Sequence, residues 1–348
     1  MIKKRFVIVA LFCLTFAACS PFGCQTSNDG FAHKRTSVAP GVKYEHLRRI
    51  KTVELEPLSI HVLAVDPSKA SLKLMLAKDH VLGKEKTTAM AARSDAVAAI
   101  NGGFFIINGD YQGDLDGLFI QDGVILSDPA EKRSSFGFCT TPKGQEAVFE
   151  QFELQSLVSP KNGEPTHIDG INREPAAGET IMLTPQFGGS AAITPDTSII
   201  VGNGTAGSDV SYELKSLRSG RNFPFQPCSF TSAGPTLVLS DEVIQDYTAE
   251  SPKFVGDFIH KRHPRTAVGQ KKDGTLLFVV VDGRQPLLSA GMTLPELAEF
   301  MKKQGAVSAY NLDGGGSSTM VVKSAIVNSP SDKAGERPTS DAIVIKSR

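Results

Sequence analysis

The hydrophobic pattern of this chain predicts many short strands and few helices. Short apolar runs alternate with clusters of Gly, Pro, Asp and Ser, which is typical of strands joined by turns. The turns at 66–68 and 121–123 are the clearest, because each lies between two such runs. A short helix is predicted at 88–95, with Thr87 or Thr88 as its cap. Strands are predicted at 59–65, 71–77, 96–100, 117–120, 124–127, 134–139, 146–151, 180–184, 197–201, 236–239 and 342–345.

The segment 275–312 has the pattern of a β-α-β unit. Residues 275–281 are a continuous apolar run, as expected of a strand buried on both faces. Thr293 and Glu296 have the spacing of a capping box, which predicts that a helix begins there, and a second strand, 307–312, follows that helix. The two strands of such a unit run parallel. We therefore expect an α+β or mixed α/β fold, with a mixed sheet that contains this unit, additional antiparallel strands and few short helices.

Polar residues directly follow the predicted buried strands. Asp282 and Asp313 follow the two strands of the unit, and Asn101 follows the strand at 96–100. Strands that run in one direction present their carboxyl ends at one edge of a sheet, and neighbouring strands lie about 4.8 Å apart. Both carboxylates should therefore face one cleft, even with one strand between them. Ligands of open α/β sheets bind at this edge.

The N-terminus predicts export. A basic stretch at 3–5 precedes an apolar run at 6–18, in the order found in signal peptides. The run is too short to span a bilayer, which requires about 20 residues. Small residues then precede Cys19, as in a bacterial lipobox, although Phe16 stands where Leu is usual. The alternative is an ordinary cleaved signal with an incidental cysteine.

This interpretation divides the chain into three parts. Residues 1–18 are the export signal, 19–45 the lipidated cysteine with a flexible tether, and 46–348 one folded domain. The tether is expected because residues 20–40 are rich in Ser, Asn, Gly, Pro and Lys. The protein is then expected in a bacterial cell envelope, periplasmic or at the surface, and anchored to a membrane by lipid.

The charge balance bears on the binding partner, and the cysteine count bears on a possible disulfide. Lysine plus arginine balances aspartate plus glutamate, 37 against 37, which argues against nucleic acid as the main partner. If Cys19 is lipidated, Cys24, Cys139 and Cys228 remain. Cys139 and Cys228 can form one bridge in an oxidising compartment, or they can be two small buried side chains. The sequence leaves both alternatives and the oligomeric state open.

No cofactor is expected from the sequence. The seven histidines show no metal-ligand spacing, and Asp110, Asp114 and Asp116 do not have the spacing of an EF-hand loop. These acids are interpreted as solvated loop residues. A divalent cation stays open as an alternative.

Several glycine-containing motifs carry charged residues. Asn101-Gly102-Gly103 ends a strand, and it is interpreted as a structural turn when taken alone. Arg265-Thr266 follows a basic loop, and an arginine fork suits phosphate or carboxylate. The strongest signal is the run Asp313-Gly314-Gly315-Gly316-Ser317. Its glycines favour a functional turn, because successive N–H groups in such a turn can bind an anion.

The ordered set of motifs resembles the phosphodiester glycosidase family. The resemblance covers about residues 88–345, and its C-terminal cluster is the most specific part. The motifs are Asn101-Gly-Gly-Phe-Phe, Gly234-Pro235, Arg265-Thr-Ala-Val-Gly, Asp282-Gly-Arg, Ser289-Ala-Gly-Met-Thr293, Leu312-Asp-Gly-Gly-Gly-Ser-Ser318 and Arg337-Pro-Thr-Ser-Asp-Ala342.

The resemblance implies a hydrolase that removes a sugar such as N-acetylglucosamine from a phosphodiester, with a phosphodiester-linked glycan or sugar phosphate as substrate. Bacterial members of the family are often described as exopolysaccharide-related. Asp313 and Asp282 are then the expected catalytic carboxylates, and the residues do not show which acts as nucleophile or base. The expected substrate- or phosphate-binding residues are Asn101, Gly102, Gly103, Arg265, Thr266, Arg284, Gly314, Gly315, Gly316, Ser317, Arg337 and Asp341.

Two other functions fit the same residues. One is a phosphodiesterase that cuts the P–O bond of the same substrates. The other is a non-catalytic lipoprotein that binds envelope glycans.

The lipid anchor generates the first testable prediction. Replacing Cys19 with alanine removes the thiol that would carry the acyl chains, so the Cys19→Ala protein should incorporate no labelled fatty acid and should leave the membrane fraction. The measurement is metabolic labelling with fractionation, and Cys24→Ala is the matched control. Undiminished lipid labelling of Cys19→Ala would contradict the anchor.

Overall fold

The computed structural model describes residues 25–26, 30–142, 144–159, 166–191, 196–203, 205, 211–223 and 228–348. The predicted export signal and Cys19 lie outside these residues. Within them, no helix has the length and apolar character required to cross a membrane.

Strands dominate the described parts of the chain. The first part contains β1 (Gln25–Thr26), β2 (Ala32–Ala39), β3 (Val42–Arg49), β4 (Leu58–Val65), β5 (Ala70–Leu76), α1 (Thr87–Arg93), β6 (Ala98–Asn101), β7 (Phe119–Gln121) and β8 (Val124–Ser127). The middle contains β9 (Ser134–Thr141), β10 (Gly144–Ser159), β11 (Thr166–His167), β12 (Gly170–Ile171), β13 (Thr180–Leu183), β14 (Ser198–Val201), β15 (Ser211–Ser216), β16 (Cys228–Ser232), β17 (Thr236–Leu239) and β18 (Glu242–Val243). The last part contains α2 (Asp257–His260), β19 (Arg265–Lys271), β20 (Leu276–Val281), α3 (Leu294–Lys303), β21 (Ala306–Asn311), β22 (Met320–Val322), β23 (Ala325–Ile326) and β24 (Asp341–Ser347).

The expected mixed α/β fold is wrong, because the molecule is mostly β. The largest sheet has the order β1-β2-β3-β4-β20-β19-β21-β17-β18, and every neighbouring pair in it is antiparallel. A second sheet, β23-β22-β6-β24-β5, is antiparallel as well. In the described residues, parallel pairing occurs in the small sheet β12-β13-β14.

The error arises at the predicted β-α-β unit. Strands β20 and β21 do run in the same direction, but β19 lies between them and is antiparallel to both. A tight turn joins β19 to β20, in which Lys271 N–H donates to the carbonyl of Thr275 and Gly274 has a φ of +86°. Through this hairpin β19 lies beside β20, in the position where the sequence predicts β21 as a parallel partner. Strands β20 and β21 therefore end at the same edge of the sheet, but they do not pair with each other.

Helix α3 begins where the sequence predicts. The Thr293 hydroxyl accepts a hydrogen bond from Glu296 N–H, and the Glu296 carboxylate accepts one from Thr293 N–H at 2.9 Å. This confirms the capping box. The helix buries Leu297 and Met301 against one face of the largest sheet, and Gly305 ends it with a φ of +89°.

The predicted cap of helix α1 is wrong. The cap position is Lys86, which makes no side-chain capping bond, and Thr87 is already the first helical residue. The Thr88 hydroxyl instead donates to the Glu336 carboxylate at 2.6 Å, and Thr88 N–H donates to the same group at 2.8 Å. A carboxylate from far along the chain thus satisfies a free N–H of the first helical turn.

The main core contains buried side chains of the largest sheet and of the second sheet. Leu63, Phe278 and Tyr310 of the largest sheet pack with Ile100 and Ile343 of the second sheet, and all five side chains are fully buried. Strands β2 and β3 form an ordered hairpin within residues 32–49. The folded domain therefore begins before residue 46, where the sequence placed its boundary.

A disulfide joins Cys139 and Cys228, which resolves the alternatives that the sequence left open. The two cysteines face each other on β9 and β16, which pair in antiparallel register. The bridge therefore closes a loop with a sequence separation of 89 residues.

The bridge generates a prediction about stability. Because a cross-link over a long loop restricts the unfolded chain, the Cys139→Ala/Cys228→Ala variant should lose about 2–4 kcal/mol in free energy of unfolding. The measurement is urea denaturation of wild type and variant, and wild type under reducing conditions serves as the control. Two reactive thiols at these positions in the native, non-reduced protein would contradict the bridge.

Candidate active site

The largest sheet and the second sheet both bring polar residues to one edge of the molecule. Strand β19 starts where β20 and β21 end, because it runs antiparallel to both. In the second sheet, β24 starts beside the end of β6, since Ala342 pairs with Asn101. We call the residues at this edge the rim: 101–103, 265–266, 282–284, 313–318 and 337–341.

Asp313 is the half-buried carboxylate of the rim. Its Oδ1 accepts a hydrogen bond from Gly314 N–H at 2.8 Å. Burial raises the pKa of Asp313 from 3.8 to about 6, although the Ser317 hydroxyl, the Gly314 N–H and the positive charge of Arg337 each lower it. The carboxyl group can therefore take up and release a proton near neutral pH.

Asp341 is a second acid at the rim, and its side chain is completely buried. Its Oδ1 accepts from Gly103 N–H at 2.9 Å, and its Oδ2 accepts from the Thr231 hydroxyl at 2.7 Å. Burial raises the pKa of Asp341 to about 6, the two hydrogen bonds lower it, and the negative charge of Asp313 raises it further. The two acids are thus close enough for the ionisation of one to oppose that of the other.

Glycine at position 102 is required by this packing. A Cβ at Gly102 would lie 2.0 Å from an oxygen of the Asp341 carboxylate, which is far inside van der Waals contact. A Cβ at Gly103 would lie 2.5 Å from the carbonyl oxygen of Ser232. The two glycines therefore let the main chain approach the buried acid closely.

Asn101 and Thr266 form buried hydrogen bonds that hold the glycine-rich turn. The Asn101 amide donates to the carbonyl of Asp313 at 2.8 Å, and its oxygen accepts from the Thr266 hydroxyl at 2.8 Å and from Thr319 N–H at 3.1 Å. The Thr266 hydroxyl also lies 3.2 Å from that of Ser318. Both side chains are buried. They fix the position of Asp313 through the main chain of the turn.

Asp282 lies at the same edge, but its carboxylate is enclosed by donors. Its Oδ2 accepts from the Ser59 hydroxyl at 2.8 Å and lies 3.0 Å from His61 Nε2. Its Oδ1 accepts from Ser329 N–H at 2.7 Å and from the Asn328 amide at 3.2 Å. Burial alone would raise the pKa of Asp282, but the hydrogen bond and charge of His61 and the other donors outweigh it, so the pKa lies below its ordinary value.

The network around Asp282 reaches the glycine-rich turn. The Asn328 amide donates to the carbonyl of Ser318 at 3.0 Å, and the Asn328 oxygen accepts from Met320 N–H at 2.8 Å. Asp282 is only 2% exposed and Asn328 lies between it and the turn. This geometry favours an anchoring role for Asp282, and its expected role as a catalytic acid stays a prediction.

Two arginines flank the turn. A Cβ at Gly315 would lie 3.3 Å from the Arg284 guanidinium, and a Cβ at Gly316 would lie 2.3 Å from that of Arg337. Asp332 holds Arg337 by two hydrogen bonds of 2.7 and 3.0 Å. Arg284 is exposed, and no carboxylate among the described residues forms an ion pair with it. Its charge is therefore available to a ligand.

Arg265 is placed differently from the sequence-based expectation. Its side chain is buried, and its guanidinium donates to the main-chain carbonyls of Met292 at 2.9 Å, Phe258 at 2.7 Å and Lys261 at 3.1 Å. The guanidinium also lies 5.4 Å from the ring centre of Phe258. Burial lowers the pKa of Arg265 to about 10. These contacts tie the loop before β19 to the rim.

The glycine-rich turn uses most of its own N–H groups. Gly314 N–H donates to Asp313, and Gly315 N–H donates to the carbonyl of Pro264 at 2.9 Å. Ser317 and Ser318 N–H donate to carbonyls within the turn. The Ser317 hydroxyl is buried and has no hydrogen-bond partner of good geometry among the described residues. An anion at this turn would therefore be held mainly by the arginines.

Sequence reasoning missed several partners of these residues. Thr231 comes from the middle of the chain, where no motif indicates a contact with Asp341. Asp332 and His61 are single polar residues without a motif. The sequence places His263 in a basic loop, but its imidazole Nδ1 lies 3.2 Å from Arg284 Nη2. In the part of the chain that the structure describes, no group of three or more His, Cys, Asp or Glu could hold a metal ion.

Part of the chain is similar in sequence to known proteins. Residues 176–346 match the family model described as phosphodiester glycosidase. A segment of 85 residues is 44% identical to N-acetylglucosamine-1-phosphodiester alpha-N-acetylglucosaminidase of Bos taurus, covering 24% of this chain and 16% of that protein. The chain spans about one sixth or less of the length of the curated relatives it matches, 13–16%.

Solved structures share the fold. A candidate exported protein of Burkholderia pseudomallei K96243 has a TM-score of 0.74 at 20% identity, covering 94% of this chain and 98% of that one. The catalytic domain of zebrafish N-acetylglucosamine-1-phosphodiester alpha-N-acetylglucosaminidase has a TM-score of 0.55 at 20% identity, covering 91% and 88%. The match of residues 176–346 to the family model confirms the resemblance to the phosphodiester glycosidase family seen in the motifs.

Proposed function

We propose that this protein is an exported hydrolase that cleaves the glycosidic bond of a sugar-1-phosphodiester, such as an N-acetylglucosamine-1-phospho group on an envelope or extracellular glycan. The family domain and the name of the bovine relative support the reaction class and the substrate class. The description of the Burkholderia structure as a candidate exported protein supports export. Lipid anchoring through Cys19 is part of this proposal and rests on the sequence alone.

The observation that carries the proposal is the setting of Asp313. It is the half-buried one of the three acids at the rim, whereas Asp282 and Asp341 are 2% and 0% exposed. The guanidinium groups of Arg284 and Arg337 lie beside Gly315 and Gly316 of the neighbouring turn. A carboxylate with a raised pKa beside two guanidinium groups suits the hydrolysis of a bond between an anomeric carbon and a phosphate.

The reaction breaks the bond between C1 of the sugar and the phosphate oxygen. As a base, Asp313 takes a proton from the water that attacks C1; as a nucleophile, it forms a glycosyl ester that water then hydrolyses. In both cases the phosphate monoester leaves with the bridging oxygen. Such a leaving group needs little protonation, since the second pKa of a phosphate monoester is about 6. We assign stabilisation of its charge to Arg284 and Arg337.

Asp341 has a different role in this proposal. Both of its oxygens are engaged by protein donors, so it does not contact the substrate. The charge of Asp313 raises the pKa of Asp341. Because repulsion between two carboxylates is mutual, we assign to Asp341 the role of opposing ionisation of Asp313. Asn101 and Thr266 hold the main chain of Asp313, and Asp282 anchors the far side of the turn.

Isotope labelling tests the bond that is cleaved. In water enriched in oxygen-18, hydrolysis of a chromogenic N-acetylglucosamine-1-phosphodiester should place the label in the sugar, because water attacks C1. A simple alkyl N-acetylglucosaminide serves as the control substrate. It should react far more slowly, since an alkoxide is a poorer leaving group than phosphate. Label in the phosphate would show the phosphodiesterase reaction instead, and binding without turnover would indicate a glycan-binding protein.

The raised pKa of Asp313 predicts the acid limb of the pH profile. The carboxylate must be ionised to act, so kcat should fall as pH drops through about 6. Asp341→Asn removes the opposing charge, so its acid limb should shift to lower pH. Asp313→Asn should lower kcat by about 10³-fold, or about 4 kcal/mol of transition-state stabilisation. The measurement is kcat against pH, with the exposed Asp110→Asn as the matched control.

Stability separates lost chemistry from lost folding in these variants. Because the folded-state pKa values of Asp313 and Asp341 lie above 3.8, ionisation of either acid opposes folding as pH rises from about 4 through about 6. Each Asn variant should therefore be at least as stable as wild type at pH 8 in thermal unfolding. Full activity of Asp313→Asn, or an unchanged pH limb in Asp341→Asn, would contradict the assigned roles.

A further inference from the structure

His263 lies directly against the rim but belongs to none of the motifs. Its main chain pairs with Met292, with hydrogen bonds of 3.1 and 3.0 Å in the two directions. A Cβ at Gly283 would lie 2.9 Å from the carbonyl carbon of His263, and a Cβ at Gly291 would lie 2.4 Å from its carbonyl oxygen. Two glycines thus leave room for the histidine main chain, which gives the side chain a fixed origin beside Arg284.

The contacts of the imidazole specify its neutral form. Nδ1 lies 3.2 Å from Arg284 Nη2, and a guanidinium can only donate, so Nδ1 must accept. A neutral imidazole carries one N–H, so its proton then lies on Nε2. Burial lowers the pKa of His263, and the charges of Arg265 and Arg284 lower it further, whereas the carbonyl and carboxylate of Asp257 raise it.

Arg284 has few other contacts to define its direction. It is exposed, and its main chain has a φ of +59°, a conformation that residues with a Cβ rarely adopt. Arg337 in comparison is held by the Asp332 carboxylate, and Arg265 by three main-chain carbonyls. A neutral acceptor orients Arg284 without cancelling its charge. A carboxylate in the same place would orient it and neutralise it.

We infer that His263 is a positioning residue whose neutral imidazole accepts a hydrogen bond from Arg284 and holds that guanidinium over Gly315, aimed at the phosphate of the substrate. The inference rests on the proposed function for the identity of the ligand. The geometry of the pair itself does not depend on it. Protonation of His263 places two cations next to each other, so the Arg284 guanidinium loses this orientation at low pH.

This predicts a specific pattern in the kinetic constants. His263→Ala should raise KM for the sugar phosphodiester about 10-fold, with kcat changed less than about 2-fold, since the variant loses ground-state alignment of the phosphate contact. His263→Asn keeps a neutral acceptor near the Nδ1 position and should restore most of the affinity. In wild type, KM should rise on acidification below the ordinary histidine pKa of about 6.5, and His263→Asn should lose this rise while keeping the acid limb of kcat. His260→Ala, which changes the exposed last residue of α2, is the control.

Nuclear magnetic resonance of the folded chain tests the pair without catalysis. With nitrogen-15 in the histidines, His263 should show the Nε2-protonated tautomer and a pKa below the ordinary histidine value of about 6.5. In Arg284→Ala the pKa of His263 should rise, because a neighbouring positive charge is removed. An unchanged pKa in Arg284→Ala, or equal KM values for His263→Ala and wild type, would overturn the inference.

A second measurement separates this inference from the proposed function. The affinity of inorganic phosphate, measured by calorimetry, should fall about 10-fold in His263→Ala and recover in His263→Asn. If wild type hydrolyses no sugar phosphodiester but this pattern holds, the proposed reaction fails and the positioning role stands. If hydrolysis is found while phosphate binds His263→Ala and wild type equally, the positioning role fails alone.

Discussion

The burial of two neighbouring carboxylates is the constraint on which the rim depends. Asp341 is completely buried on the second sheet, and the charge of Asp313, at the end of the largest sheet, raises its pKa. Removing one acid from water is costly, and placing a second beside it adds repulsion. The surroundings supply directed donors: Gly103 N–H and the Thr231 hydroxyl donate to Asp341, and Gly314 N–H donates to Asp313. The cost that remains appears as raised pKa values at both acids, and this places their protons within reach of reactions at neutral pH.

The rim contains residues that fix the main chain and residues whose charge stays available to a ligand. Arg265 and Asn101 bind main-chain atoms, and so fix loops rather than a ligand. Asp282 binds through Asn328 to the turn and through His61 to β4. Arg284, by contrast, carries its charge at the surface with an imidazole as neighbour. One edge of the fold thus contains both the residues that anchor the loops and a charged group that can contact a phosphate.

Much of the local structure could be predicted from the sequence, but the arrangement of the sheets could not. The capping box at Thr293 and Glu296 is a local interaction, so its spacing suffices to predict it. The insertion of β19 between β20 and β21 is decided by which strand occupies the neighbouring position, and hydrophobic patterns carry no such information. Polar residues at strand ends were correctly located at one edge. Whether each side chain turns toward the cleft or into the protein depends on partners such as Thr231 and Asn328, which lie far away in the chain.

The pairing of β24 with β5 and β6 has a consequence for the order of folding. Asp341 faces Leu76 across one pair, and Ala342 faces Asn101 across the other, so the strands come from opposite ends of the domain. Contacts between such distant segments form late, because a long loop must close first. Asp341 reaches Gly103 only after this closure. Until then Asp341 is solvated, and its pKa is that of an ordinary surface aspartate. A partly folded chain therefore contains the residues of the rim but lacks the raised pKa of this acid.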